Sequence, residues 1–310
     1  MTLVSCKLRR LLDSGDCVVR QLAVCESHHQ LQIKNRKFVA AKFAVDSSLK
    51  DIERSILQQV ENVDLDTLQQ RTVQGSFFRS DFDQQQSWSR VIGHLPDAIF
   101  KWSVNAIVDT LPHNANLFRW RKSATDRCPL CSGRQTLLHV LNHCPIALNQ
   151  GRFTWRHNEV LSLIRDFLDQ HLLPNFELEC DLQNCCYGFL LRTFFSTLRP
   201  DICIFNKEEK RIVLMELTVP FDELMTAAAH RKSTKYRDLV YNIQDAGYHV
   251  SLVTVEVGSR GVVSDSFFTF INDWTSTKGH ESSSLFDSIR RKVICSSYAI
   301  WSRRNSDSWF

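Results

Sequence analysis

The chain has 310 residues, of which 43% are hydrophobic and 23% charged, with a formal net charge of +4; this allows two domains and a sizeable core in a soluble globular protein. No apolar run approaches a membrane span. The stretch before Lys7, Arg9 and Arg10 is too short for a signal peptide, so spanning and secreted readings are excluded. Mild basicity alone does not imply nucleic acid.

In chain order the sequence divides into four blocks without repeats or low-complexity tracts. Residues 1–72 are predicted to be mostly helical, with Ile52, Ile56, Val60, Leu65 and Leu68 at three-and-four spacing between Leu49 and Gln70. Residues 73–124 read as a helical linker carrying Trp88, Phe100, Trp102, Phe118 and Trp120. Residues 125–160 hold a cysteine–histidine set and its flank, and residues 161–310 open with a helix and then alternate strands and helices. Residues 202–205, 212–219 and 250–257 are rich in β-branched residues and predict strands. A helix is predicted over 225–246, closed by Gly247 at its C-cap. The fold class is α/β.

Cys128-x2-Cys131-x7-His139-x4-Cys144 has the spacing of a zinc knuckle, with Ser132-Gly133 supplying the tight turn. Four protein ligands leave no open position for water, so a structural Zn²⁺ is expected; His143 is the rival imidazole. The other cysteines form no secreted-type framework, which points to a reducing cytosol or nucleus. Cys180, Cys185 and Cys186 read as half-buried free thiols in preference to further ligands. Basic residues cluster in three places: Arg119, Arg121, Lys122 and Arg127; His230, Arg231, Lys232, Lys235 and Arg237; and Arg290, Arg291 and Lys292. Clusters beside chemical motifs suit phosphate contact.

Between residues 199 and 220 the sequence carries an acid at the mouth of one strand and another inside the next. A turn centred between Glu208 and Glu209 sets Asp201 opposite Glu216. Facing carboxylates repel, and a divalent cation relieves the repulsion. Mg²⁺, or Mn²⁺ in its place, binds through one or two carboxylates and substrate phosphate. Glu216, flanked by Leu214, Met215, Leu217 and Val219, needs a partner in such an apolar strand. The position two residues after it is Thr218, where short sites of this kind place a lysine. The helix that follows offers Lys232 and Lys235, with Tyr236 four residues after Lys232. Either lysine serves as the catalytic cation on this reading, with Lys232 preferred.

Taken together these motifs resemble the C-terminal region of site-specific non-LTR retrotransposon proteins with a restriction-like endonuclease. The likeness runs from Val73 to Phe310. It takes in Leu111-Pro112, Asn116-Leu117-x-x-Trp120, and Thr136-Leu137-x-His139-Val140-Leu141 within the cysteine set. It continues through Gly151-Arg152-Phe153-Thr154-Trp155-Arg156-His157-Asn158, Arg199-Pro200-Asp201, Glu216-Leu217-Thr218-Val219-Pro220 and Lys232-x-x-Lys235-Tyr236. Val255-Glu256-Val257-Gly258-x-Arg260-Gly261 and Ile300-Trp301-x-x-Arg304-Asn305 complete it. The resemblance implies a restriction-endonuclease-like core in which Asp201 and Glu216 hold the divalent metal and the lysine has moved from strand to helix. It also implies that the protein nicks target DNA in the nucleus, with a cytoplasmic share, and that the zinc knuckle and its flanks hold DNA or RNA. Arg119, Arg121, Lys122, Arg152, Arg156, Tyr236 and Arg260 are the candidate nucleic-acid contacts. The polymerase aspartate pair of such elements is absent, so residues 1–72 read as a remnant of a thumb or linker. Self-primed retrotransposition by this chain alone is excluded. The competing reading is a domesticated or decayed module that binds nucleic acid without cutting it.

Overall fold

The computed structural model describes residues 30–33, 36–39, 49–71, 85–183, 188–194, 196–277 and 279–309. The chain divides into two compact units, Met1–Phe78 and Arg79–Phe310. In the first unit, β1 (Gln30–Ile33) and β2 (Arg36–Val39) pair as an antiparallel hairpin, Gln30 opposite Val39. Helix α1 (Leu49–Gln69) follows the predicted periodicity. The hairpin departs from the mostly helical expectation for this stretch.

The second unit joins the expected linker, knuckle and α/β core in one body. Its helices α2 (Gln85–Gly93), α3 (Asp97–Ile107) and α4 (Asn114–Arg119) occupy the predicted linker, and α5 (Pro145–Asn149) follows the cysteine set. Helix α6 (Arg152–His171) runs through the boundary expected at residue 160. Beyond it lie β3 (Glu177–Cys180), α7 (Phe189–Phe194), β4 (Ile202–Asn206) and β5 (Arg211–Thr218). Helices α8 (Met225–Lys235) and α9 (Arg237–Asp245), strand β6 (His249–Glu256), α10 (Asp265–Trp274) and α11 (His280–Ser302) complete the unit. The strand order is β3-β4-β5-β6, antiparallel except for the parallel β5–β6 pair that α8 and α9 connect. This is a four-stranded mixed sheet in an α/β body, as the class assignment expected.

Strand periodicity decides what each face meets. Cys203, Phe205, Ile212 and Leu214 bury against Leu190, Tyr236, Leu239 and Ile243 of α7, α8's end and α9. The intervening residues, Ile202, Ile204, Val213, Met215 and Leu217, are buried on the other face, where α6 packs on β3 and β5. Helix α6 contributes Val160, Leu161, Ile164 and Leu168, all fully buried, and α11 packs along it. Each such aliphatic side chain contributes about 1.5–3 kcal/mol by leaving water. The predicted helix over 225–246 is two helices broken at Tyr236, whose ring is fully buried. Gly247 follows with φ of +80°, a conformation that favours glycine at a helix C-terminus. Among the described residues no helix is long and apolar enough to cross a membrane.

Candidate functional site

The β4–β5 hairpin has the register that a turn between Glu208 and Glu209 predicts: Ile202 pairs with Met215 and Asn206 with Arg211. Continued by one residue, the ladder brings Asp201 beside Glu216. The Asp201 amide donates to Glu216 Oε2 at 3.3 Å, and the Leu217 amide donates to Asp201 Oδ2 at 2.7 Å. Glu216 is 2% exposed. Burial, and then the charge of Asp201, raise its carboxyl above the ordinary range, while Lys232 pulls it back.

Lys232 comes from the last turn of α8 and its ammonium binds Glu216 Oε1 directly. Lys235 does not reach the carboxylates. It is exposed and donates to the Tyr236 hydroxyl at 2.9 Å, which in turn donates to the Arg199 carbonyl at 3.1 Å. The two lysines of α8 thus have different partners.

Two groups at this site are absent from the sequence-based set. His157, on α6, places Nε2 3.2 Å from Asp201 Oδ2 and Nδ1 3.1 Å from Asn158 Oδ1. Burial lowers the affinity of this imidazole for a proton, but the hydrogen bond and charge of Asp201 outweigh it and raise the pKa. Asp181 follows β3 and donates its amide to the Asp201 carbonyl at 2.9 Å, while its carboxylate pairs with Arg199 at 2.6 Å. His157 lay inside the Gly151–Asn158 motif without an assigned role. No signal in the sequence singled out Asp181.

Two carboxylates meet in a largely buried site, with Lys232 on Glu216 and His157 on Asp201. An all-oxygen donor pair of this kind fits a hard divalent cation such as Mg²⁺ or Mn²⁺. Asp201 Oδ2 is taken by the Leu217 amide and His157, whereas Oδ1 accepts no hydrogen bond from a described residue.

The cysteine set forms a second centre. The ligand atoms of Cys128, Cys131, His139 and Cys144 all lie within 4.8 Å of one another. Cys131 Sγ is 3.3 Å from His139 Nε2 and 3.9 Å from Cys144 Sγ. A tetrahedron with metal–sulfur bonds of about 2.3 Å has edges of about 3.8 Å, so the spacing suits a zinc ion. Local structure explains how the residues meet. The Cys128 amide bonds the Gly133 carbonyl at 2.7 Å, and Ser132 adopts a left-handed φ of 60°. A Cβ at Gly133 would come within 3.2 Å of the His139 ring. A π turn over His139–His143 then brings residues five apart to one side, which His139 and Cys144 are. Burial first, and then the Cys128 and Cys144 thiols, push the Cys131 thiol up to about 11. The rival His143 is exposed and outside the set. Cys180 is buried and outside the metal-ligand set, and Cys185 and Cys186 lie outside the described residues.

The proposed nucleic-acid contacts fall into two groups. Arg119, Arg121 and Lys122 are exposed at the end of α4, beside Phe118 and Trp120, which are 51% and 38% exposed. The other four are corrected by their burial. Arg152 is fully buried and spends its donors on Gln150 Oε1 and the carbonyls of Arg303 and Ser306. Arg156 donates to Ser297 Oγ at 3.0 Å and to the Val219 carbonyl at 3.1 Å. Arg260 bonds Asp222 Oδ2 at 2.9 Å and Glu223, and lies over the Phe221 ring. Tyr236 is buried with its hydroxyl engaged. These side chains hold the fold together and present no face to a phosphate.

No family model matches the chain, and no curated protein matches it.

Proposed function

We propose that this chain is a divalent-metal-dependent DNA endonuclease with a restriction-like core, derived from the C-terminal region of a non-LTR retrotransposon protein. The observation that carries the reading is the carboxylate pair Asp201 and Glu216, joined across β4 and β5, with Lys232 bonded to Glu216. A structural sheet has no use for two adjacent acids at the end of an apolar strand, because their repulsion and desolvation oppose folding. A hydrolytic site that binds a phosphodiester does.

In this reading Asp201 and Glu216 hold Mg²⁺ or Mn²⁺. Such an ion, when bound, polarises the phosphodiester and lowers the pKa of coordinated water. Lys232 supplies a fixed positive charge beside Glu216, where negative charge builds on the phosphate. The hydrogen bonds from the Asp201 and Leu217 amides tie the two acids to each other's strands and limit their motion. The Cys128, Cys131, His139 and Cys144 cluster holds a structural Zn²⁺, and the exposed Arg119, Arg121 and Lys122 meet the nucleic-acid backbone in the nucleus.

Nicking of supercoiled plasmid tests this reading. The intact chain with Mg²⁺ or Mn²⁺ is expected to produce open circles, and Asp201→Ala to produce none. If neither protein nicks while both bind DNA or RNA equally, the non-catalytic binding module replaces the endonuclease.

A further inference from the structure

Helix α6 enters the candidate cleavage site from the opposite side of the sheet to α8, and it is unusually well fixed there. Arg156 bridges Ser297 of α11 and the carbonyl of Val219, three residues after Glu216. Asn142, within the π turn of the cysteine cluster, donates to the same Val219 carbonyl at 2.8 Å. Arg152, one turn earlier, is sealed under the C-terminal segment by three side-chain hydrogen bonds. The end of β5 is therefore clamped to α6 and to the π turn by two donors on one oxygen.

The next residue along α6 is His157. Its side chain is 21% exposed and that of Asp201 is 13% exposed, so water competes little for their contact. The Leu217 amide and His157 Nε2 converge on Oδ2 of Asp201. Asn158 steadies the far side of the ring through Nδ1. A carboxylate with one oxygen fixed twice has little freedom left to rotate, and its other oxygen is presented in one direction.

We propose that His157 is the positioning residue of this site: by engaging Oδ2 it turns Oδ1 of Asp201 toward the divalent cation. The inference rests on the endonuclease reading above and adds to it a residue that acts through Asp201 without touching substrate. Partners of this kind typically contribute about 10–100-fold to metal affinity or activity.

The test uses the zinc-loaded full chain and two readouts: the Mn²⁺ dissociation constant from electron paramagnetic resonance, and the Mg²⁺ concentration giving half-maximal nicking. His157→Ala is expected to raise both by about 10–100-fold, with excess Mg²⁺ restoring most of the rate. His157→Gln, which keeps a donor amide, is expected to lie between His157→Ala and the wild type. Should His157→Ala not fold, His157→Gln decides. Wild-type metal constants in a folded variant overturn the proposal. So does a lower melting temperature or lower rate that leaves the Mn²⁺ constant unchanged, since that assigns His157 to the fold alone. Asp201→Ala separates the two levels. If the wild type has no Asp201-dependent Mn²⁺ binding, the endonuclease reading itself fails. If that binding is present and the His157 variants share its strength, only the positioning role fails.

Discussion

The two lysines of α8 give the sharpest test of the candidate cleavage site, because they are three residues apart and have different partners. Lys232 binds Glu216, a carboxylate 2% exposed; Lys235 is exposed and binds a neutral phenol. A hydrogen bond to a charged group contributes roughly 1.5–3 kcal/mol net. The upper part of that range needs discounting, since the Lys232 side chain is 31% exposed and water screens part of the pair. Lys232→Met should therefore cost about 2 kcal/mol. For a unit of this size that lowers the melting temperature by about 4–8 °C. Lys235→Met should stay within about 0.5 kcal/mol of the wild type, as other surface changes do. In plasmid nicking at saturating Mg²⁺, removing a charge aimed at the reacting phosphate should cost about 10²–10³-fold. That loss is expected for Lys232→Met, while Lys235→Met changes the rate little. Differential scanning fluorimetry without divalent cation and nicking with it read the two effects separately. Equal losses in both variants, or a larger nicking loss in Lys235→Met, would refute the assignment of Lys232.

Two other predictions follow from the same geometry. The Cys128, Cys131, His139 and Cys144 cluster should hold one zinc per chain by mass spectrometry; Cys131→Ser should lose it, and His143→Ala should keep it. With zinc a hundredfold above its dissociation constant, chelation should remove about 2.7 kcal/mol of stability, or roughly 5–11 °C of melting temperature; a chelated protein that melts like the untreated one would leave the cluster without a metal. Gly258→Ala should be severe, because its Cβ would lie 2.1 Å from Asp222 Oδ1 while Asp222 is bonded to the Arg260 amide and guanidinium. Breaking that buried pair costs about 3–5 kcal/mol, about 6–20 °C, and a melting temperature within about 2 °C of wild type would show that the loop relaxes freely.

What could be read from the sequence was what neighbouring residues decide. The β4–β5 hairpin is short and closed by the charged Lys207–Lys210 turn, so strand periodicity and turn position together set its register and the Asp201–Glu216 pair. The knuckle was legible for the same reason, since its turn glycine and paired ligands lie within seventeen consecutive residues, 128–144. Strand β3 gives only a weak signal although Glu177-Leu178-Glu179-Cys180 alternates, because four residues after a proline loop carry little weight alone. The break at Tyr236 has no glycine or proline to announce it.

The arginines show where reasoning along the chain runs out. Arg152 and Arg156 are among the nucleic-acid contacts that the family resemblance suggests for the flank of the zinc knuckle. Apart from Gln150, two residues from Arg152, their acceptors are carbonyls of Arg303, Ser306 and Val219 and the hydroxyl of Ser297, far away in sequence. No local pattern reveals that a distant carbonyl will be left without a strand or helix partner. A partly buried carbonyl of this kind is satisfied by a side-chain donor, and arginine, with five donors in a rigid fork, can satisfy several at once. The same reasoning explains why His157 escaped notice: its partner is 44 residues away and on another element. Motif residues without a predicted role, such as His157 and Asn158, are thus where tertiary partners of a candidate site are to be sought. Beside them, Arg156 of α6 and Asn142 of the π turn both donate to a single carbonyl at the end of β5, that of Val219. The turn that carries the cysteine cluster and the helix that carries His157 are therefore hydrogen-bonded to one piece of backbone at the end of β5.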